Sequence, residues 1–283
     1  MKQGITFGVL AGACWGFIFL PPVLLPEISP LLLTCGRFAT YGILAAILLI
    51  PQWRNIARVW HHRDLLTLIR LSLMSNVFYF LLVAVAVQQV GIAATSLVIG
   101  LIPVMVPVLG RRDQHAPPFR QLLLPMTAII AGVVLINLHA IQTSSHQVTE
   151  GKRQMLGMLC AFAALLCWSR YAVENSRCLK NLPYNSNQWS LLIGLCTGCI
   201  SVLLWLIASI FRFSAVDLSL PEHTQTLFWI TNMMLAVVSS WLGYLAWNLC
   251  SRRLPVSLTG QMVVFETLFA LLYGFIYSQR IPD

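Results

Sequence analysis

Nine runs of about twenty mostly apolar residues divide this sequence and leave it few possible folds. A helix needs about 20 such residues to cross the ~30 Å hydrocarbon core of a bilayer. The runs are continuous rather than alternating, which predicts helices instead of the strands of a membrane barrel. We therefore predict an all-α polytopic membrane protein. Its spans are expected near residues 4–25, 30–50, 66–87, 91–109, 121–139, 155–174, 187–210, 226–249 and 256–277.

The composition excludes a soluble or disordered chain. Hydrophobic residues make up 58% and charged residues 10% of the sequence, and the mean hydropathy is +0.78. Soluble domains carry about 25% charged residues, and disorder requires low hydrophobicity with high charge. The lipid bilayer is therefore the expected partner. The net charge of +9 does not indicate nucleic acid, because the basic residues are scattered over short breaks between apolar runs.

The basic residues in these breaks predict the orientation, since cytoplasmic loops carry an excess of Lys and Arg. With the N-terminus inside, four basic residues fall in outer segments, namely Lys152, Arg153, Arg212 and Arg280. The inner segments then contain Lys2, Arg54, Arg58, Arg63, Arg111, Arg112, Arg120, Arg177, Lys180, Arg252 and Arg253. We predict a multi-pass protein of the cell (inner) membrane with a cytoplasmic N-terminus.

Weak matches between the two parts of the chain predict an internal repeat, which is typical of transporter folds. Residues 1–140, with spans one to five, would form the first copy, and residues 150–283, with spans six to nine, the second. Because five is odd, the second copy would be inserted upside down. The matches are Gly4, Cys14 and Trp15 with Gly157, Cys167 and Trp168, then Tyr79 with Tyr244, and Pro103 with Thr267.

Several short motifs, taken in order, resemble the EamA-like branch of the drug/metabolite transporter (DMT) superfamily. They are Gly12-Ala-Cys-Trp-Gly16, Ser29-Pro30 with Arg37-Phe38, Ile102-Pro103, Trp168 and Phe265-Glu266-Thr267. The resemblance implies a carrier of small metabolites built from two inverted five-helix repeats. The sequence departs from the family pattern in two ways: Thr267 stands where a proline is usual, and nine spans are visible of the expected ten. A truncated, inactive carrier is therefore an alternative.

Two charged residues inside apolar runs are candidates for substrate or proton binding. Arg37, in span two, could be a fixed cation that faces the pore, or it could snorkel or bond to a neighbouring helix. Glu266, in span nine, could bind a substrate amine or couple transport to protons. A neutral carboxyl bonded to another helix is the alternative for Glu266.

Further candidates are expected to line the cavity or to bend a helix. Aromatic walls suit amphipathic or aromatic solutes, although Trp and Tyr are also common in helix packing and at membrane interfaces. Pro103 and Pro107 in span four could form a gating kink or a static bend. The candidate wall residues are Trp15, Trp168, Tyr79, Tyr244, Trp247 and Asn248.

We predict a secondary transporter, most simply an exporter of amino acids or drug-like solutes, that works by alternating access at the repeat interface. An intramembrane enzyme is an unfavoured alternative, because the sequence lacks a nucleophile motif and a metal-ligand cluster. We expect no cofactor or metal, and we interpret His61-His62-Arg63-Asp64 as a solvated charged loop. The sequence decides neither the substrate nor the oligomeric state.

Overall fold

All regular structure among the described residues is helical. The computed structural model of the chain describes residues 1–110, 127, 148–211 and 221–279. Short 3-10 turns at Phe17–Phe19 and Ile50–Gln52 continue two of the helices. The α-helices are α1 (Lys2–Gly16), α2 (Pro21–Leu24), α3 (Pro30–Leu49), α4 (Trp53–Val59), α5 (His62–Ser72), α6 (Phe78–Ile99), α7 (Ile102–Leu109), α8 (Val148–Asn181), α9 (Ser186–Ile210), α10 (Glu222–Met234), α11 (Gly243–Arg253), α12 (Val256–Gln261) and α13 (Val264–Ser278).

Seven helical stretches in the described part of the chain are long and apolar enough to cross a membrane. The chain is thus a polytopic membrane protein whose described residues form helices and no strands. The predicted fifth span, 121–139, lies outside the described residues except for Thr127, so the count of nine remains a prediction. The seven stretches are Lys2–Leu24, Pro30–Val59, His62–Ile99, Gly151–Asn181, Ser186–Ile210, Glu222–Arg253 and Leu258–Ser278.

The third stretch contains a reversal of the chain at Gly91. This residue has φ +80° and ψ 174°, a conformation that favours glycine because it has no Cβ. Tyr79 and Ser96 lie on either side of Gly91, yet they hydrogen-bond to the adjacent residues Glu266 and Thr267. A straight helix would separate Tyr79 from Ser96 by about 25 Å. The predicted third span and the start of the fourth therefore lie side by side within this stretch.

Two π-helical segments interrupt the long helices. Leu73–Val77 joins α5 to α6, and Leu235–Leu242 joins α10 to α11. A π turn weakens the regular backbone ladder and is often found at functional sites. The carbonyl of Ser239, in the second segment, accepts a 2.9 Å hydrogen bond from Trp15 Nε1. This segment thereby holds a side chain from α1 in place.

The two prolines predicted to bend span four take different positions in α7. Pro103 is in the first turn, where its missing N–H costs no helical hydrogen bond. Pro107 is inside the helix. The helical path is interrupted at Gly100 and Leu101, just before α7 begins. A role of these prolines in gating remains a prediction.

Close helix pairs connect early and late parts of the chain. Helix α1 packs against α11 and α13, α8 packs against α6 and α7, and α3 packs against α9. Every fourth residue of α1 is a glycine whose missing side chain leaves room for a neighbouring helix. At Gly12 an added Cβ would lie 2.5 Å from Phe265 Cβ and 2.8 Å from the backbone nitrogen of Glu266. The small residues of α1 therefore allow α13 to approach its backbone.

Candidate functional site

A small closed cavity lies where α1, α3, α6, α8, α11 and α13 meet. It has a volume of only about 10 Å³, and all of its lining residues are buried, so the cavity is closed in this structure. It combines one cation, one carboxylate and several aromatic rings. Its lining residues are Trp15, Ile18, Arg37, Phe38, Ser75, Tyr79, Trp168, Tyr244 and Glu266.

Arg37 is held at this cavity by contacts on both its edge and its face. It lies in α3, which begins where Ser29 caps the backbone N–H of Leu32 at 3.1 Å. The Nε of Arg37 donates to Ser240 Oγ at 3.3 Å. Its guanidinium also lies 4.4 Å from the ring centre of Phe80, within the range of a cation–π interaction. With 3% of its surface exposed, Arg37 does not snorkel toward lipid headgroups.

Glu266 faces the same cavity from the first turn of α13. Its side chain is 1% exposed, and its Oε1 accepts a 3.0 Å hydrogen bond from the Tyr79 hydroxyl. The break before Val264 leaves Glu266 at a helix N-terminus, where the helix dipole favours negative charge. Its Oε2 has no hydrogen-bond partner among the described residues. A buried unpaired polar group costs about 1–3 kcal/mol, so this oxygen is available to a ligand.

Arg37 and Glu266 are not ion-paired with each other. The two ion pairs in the described part of the chain both involve Glu174, at 2.7 Å from Arg70 Nη2 and 2.6 Å from Arg170 Nε. The central cavity is therefore lined by a cation and a carboxylate that do not form an ion pair with each other. Glu174 itself is buried in α8, at the end of the predicted span 155–174.

The predicted aromatic residues form one cluster around the two charged groups. Trp15 lies 5.5 Å from Trp168, 5.5 Å from Tyr244 and 5.3 Å from Trp247, measured between ring centres. Trp168 and Trp247 are 5.0 Å apart, in edge-to-face geometry. Four of the six predicted wall residues line the cavity: Trp15, Trp168, Tyr79 and Tyr244. Trp247 is not a lining residue, although its ring contacts those of Trp15 and Trp168.

Tyr244 is positioned by the first π-helical segment. Its hydroxyl donates to Asn76 Oδ1 at 2.7 Å and approaches the Ser75 carbonyl at 3.1 Å. Asn76 in turn donates to Thr197 Oγ1 at 2.9 Å. Asn76 was not among the residues predicted for the site, yet it connects α11 to α9. A polar residue in a long apolar run was the only available signal.

Asn248 was expected at the cavity wall, but it lies in a second polar network. Its Oδ1 accepts from Asn175 Nδ2 at 3.1 Å, and its Nδ2 donates to the Ser186 carbonyl at 3.3 Å. Asn175 Oδ1 also accepts from Trp189 Nε1 at 2.8 Å. The Asn248 amide hydrogen-bonds to buried groups where α8, α9 and α11 meet. Its side chain therefore points to this junction and does not line the cavity.

A charged group closes this network at the end of the bundle where the basic loops meet. Arg252 donates from Nε to Ser186 Oγ at 2.9 Å and from Nη2 to the Tyr184 carbonyl. The Tyr184 hydroxyl donates to Asp64 Oδ2 at 2.5 Å. Burial, helped by this hydrogen bond, raises the pKa of Tyr184, which keeps the phenol protonated as the donor.

Asp64 corrects the expectation of a solvated loop at His61–Asp64. Its side chain is buried, and it accepts from the backbone N–H of His61 at 3.2 Å as part of a capping box for α5. His61, His62 and Arg63 are exposed as expected. Among the described residues there is no group of three or more His, Cys, Asp or Glu side chains that could hold a metal ion.

The fold is thus that of a polytopic membrane protein whose helices surround a buried site with two charged residues. The EamA-like transporter family model matches residues 2–138. The inner membrane protein YtfF of Escherichia coli (strain K12) is 32% identical over 293 aligned residues, which cover 100% of this chain and 89% of YtfF. The chain belongs to the EamA-like transporter family of the DMT superfamily. It is a membrane transporter.

The fold itself has a counterpart among solved structures. A crystal structure of a protein only 18% identical in sequence superimposes with a TM-score of 0.68. The superposition covers 99% of this chain and 91% of the other. At this level of identity the likeness concerns the fold alone.

Proposed function

We propose that this protein is a secondary carrier that exports small zwitterionic or amphipathic organic metabolites, such as amino acids or drug-like solutes. The observation that carries the proposal is the placement of Arg37 and Glu266 on one closed cavity without pairing to each other. A substrate carboxylate would pair with Arg37, and a substrate amine with Glu266 Oε2. The aromatic cluster would cover the apolar part of the substrate.

Alternating access would come from two inverted repeats, residues 1–140 and 150–283, rocking about the cavity. Two features support this. The packing of α1 against α11 and α13 is matched by the packing of α8 against α6 and α7. The two π-helical segments also occupy corresponding places, one just before Tyr79 and one just before Tyr244.

Proton exchange at Glu266 would couple export to the proton gradient. A carboxyl with one bonded and one unbonded oxygen can bind either a proton or a substrate amine. Competition between the two would make proton entry depend on substrate release. The Arg37 cation would stay fixed throughout, since it is held by Ser240 and stacked on a ring.

We further propose that the protein lies in a cell (inner) membrane with its N-terminus in the cytoplasm. The support is the gathering of basic residues near the ends of α8 and α11 and the start of α5, which the contacts among Asp64, Tyr184 and Arg252 bring to one end of the bundle. The relative YtfF is itself an inner membrane protein.

Counterflow into proteoliposomes tests the substrate class. Radiolabelled L-phenylalanine is the probe, and phenethylamine and 3-phenylpropionate, each lacking one charged group, are the competitors. We expect the full zwitterion to compete best. Arg37→Ala should abolish its advantage over phenethylamine, whereas Arg253→Ala, at an exposed position, should change nothing. Equal competition by all three compounds in the unmodified protein would contradict the proposal that Arg37 and Glu266 each bind one charged group of the substrate.

Two substitutions at Glu266 test proton coupling. Glu266→Gln keeps the side-chain shape but cannot exchange a proton, and Glu266→Ala removes the group. Both should lose the pH dependence of phenylalanine transport, and Glu266→Gln should retain more counterflow. If both variants keep pH-dependent transport, Glu266 is not the coupling group.

A further inference from the structure

The seam between α8 and α11 contains buried polar atoms that this structure leaves without partners. They are the Tyr171 hydroxyl on α8 and, on α11, Trp247 Nε1 and Ser251 Oγ. All three residues are at least nine-tenths buried. Buried polar groups are normally hydrogen-bonded, so each unpaired atom needs an explanation. Hydration of this seam in another conformation would supply the missing partners.

The three residues lie along a line from the central cavity toward the basic end of the bundle. Tyr171 contacts Trp168 and Tyr244, which line the cavity, at ring-centre distances of 5.9 and 6.0 Å. One helical turn further along each helix, Asn175 and Asn248 bond to each other at 3.1 Å. The seam is therefore lined by polar groups from the cavity down to the network at Ser186.

Four residues close the basic end of this seam, and we name them the latch: Asp64, Tyr184, Ser186 and Arg252. Arg252 on α11 binds Ser186 and the Tyr184 carbonyl, and Tyr184 binds Asp64 at the start of α5. The latch thus fastens α11 to the loop before α9 and to α5. Tyr184 and Ser186 follow the end of α8 directly, so these contacts connect α11 to the turn that leads out of α8.

At the opposite end of the bundle the described residues leave a cleft. A cleft of about 700 Å³ lies there, beside the reversal at Gly91, with Gln88, Gln89 and Arg153 among its lining residues. Beside it, Gln88 Nε2 donates a hydrogen bond to the Ile28 carbonyl at 2.9 Å. The described residues are thus tied together at the basic end and leave a cleft at the other.

We infer that the seam between α8 and α11 is the route from the central cavity to the basic end, and that the latch is the gate that shuts it. This inference rests on the alternating-access part of the proposed function. Breaking the latch hydrates Tyr171, Trp247 and Ser251 and moves the protein toward a state open at the basic end. Arg252 and Tyr184 act as positioning residues in this gate and do not touch the substrate.

Thiol labelling at two sites tests the gate. Ser251→Cys reports on the seam and Gln89→Cys on the opposite cleft, each in full-length protein whose eight native cysteines are replaced by alanine or serine. The probe is a membrane-impermeant maleimide, applied separately to each side of sealed vesicles. With the latch intact we expect slow labelling of Ser251→Cys and faster labelling of Gln89→Cys.

Tyr184→Phe and Arg252→Ala each break one link of the latch. Either change should raise the labelling rate of Ser251→Cys at least tenfold, from the side that carries the basic loops, and should lower that of Gln89→Cys. The matched control is Arg253→Ala, since the exposed Arg253 side chain donates to the Leu249 carbonyl of its own helix and takes no part in the latch. It should leave both rates unchanged.

The reciprocal change decides between a gate and a simple structural tie. If both rates rise, the latch variants have loosened the fold, and the inference is overturned. An unchanged Ser251→Cys rate in Tyr184→Phe and Arg252→Ala also overturns it. The proposed substrate can fail separately. If the unmodified protein shows no phenylalanine counterflow but the latch variants show the reciprocal labelling response, the substrate class is contradicted and the gate is supported.

Discussion

Tyr79 donates a 3.0 Å hydrogen bond to Glu266, and this bond joins α6 to α13 across the central cavity. The two residues are 187 positions apart in sequence, and both are buried. Tyr79 is the one described partner of the Glu266 carboxyl, since Oε2 has none. The carboxyl is therefore held in place by a single neutral donor, which leaves its second oxygen facing the cavity.

Removing that donor should affect stability through Glu266 alone. Tyr79→Phe deletes only the hydroxyl, and leaving the carboxyl without a partner should cost about 1–3 kcal/mol. Thermal unfolding of the detergent-solubilised protein measures the loss. In a Glu266→Ala background the same change should cost much less, because the partner is already gone. Equal losses in both backgrounds would mean that the hydroxyl stabilises something other than Glu266.

Two tryptophans in the aromatic cluster should respond differently to the same substitution. Trp15 Nε1 donates to the Ser239 carbonyl, whereas Trp247 Nε1 has no described partner. Trp15→Phe therefore removes a hydrogen bond between α1 and the π-helical segment, and Trp247→Phe removes an unpaired N–H. We expect Trp15→Phe to be the more destabilising by about 1–3 kcal/mol in thermal unfolding. The prediction is contradicted if Trp247→Phe is equally or more damaging.

Substitutions of Arg70 and Arg170, the two ion-pair partners of Glu174, should have strongly non-additive effects on the free energy of unfolding. The arginine side chains are 58% and 53% exposed, and the Glu174 side chain is 7% exposed. Arg70→Ala or Arg170→Ala alone should cost under about 1 kcal/mol, because the carboxylate keeps one partner. The double variant leaves a buried charge unpaired and should cost about 3–5 kcal/mol. A double-mutant cycle of unfolding midpoints gives the coupling, and simple additivity would refute it.

The sequence was sufficient for the class of fold because lipid imposes strict rules on it. Continuous apolar runs had to be helices, and the helical stretches from Lys2 to Leu24 and from Ser186 to Ile210 lie where spans one and seven were predicted. The motifs around Trp15 and Glu266 also indicated the EamA-like family, which the relatives confirm. These features depend on local residue types alone.

Positions that depend on helix rotation were harder to predict. A helix that is apolar all round gives no sign of which face turns inward. Asn248 was consequently placed at the cavity wall although it bonds to Asn175 and Ser186. Asp64 was read as solvated because its neighbours in sequence are charged, and only the approach of Tyr184 from another part of the chain buries it. Such long-range contacts leave no local pattern.

Gly12 should tolerate no side chain, because α13 packs directly on its backbone. A methyl group there would lie 2.5 Å from Phe265 Cβ and 2.8 Å from the Glu266 backbone nitrogen, so the helices must move apart. Overpacking of this kind costs about 1–3 kcal/mol. The shift would also displace Glu266 from Tyr79, so Gly12→Ala should reduce both the unfolding midpoint and phenylalanine counterflow.

Gly151→Ala is the matched control, since an added Cβ there meets nothing within 4 Å. It should leave counterflow unchanged and stability equal or slightly higher, because alanine favours the helix. If Gly12→Ala behaves like Gly151→Ala, close packing of α1 on α13 does not position the carboxyl.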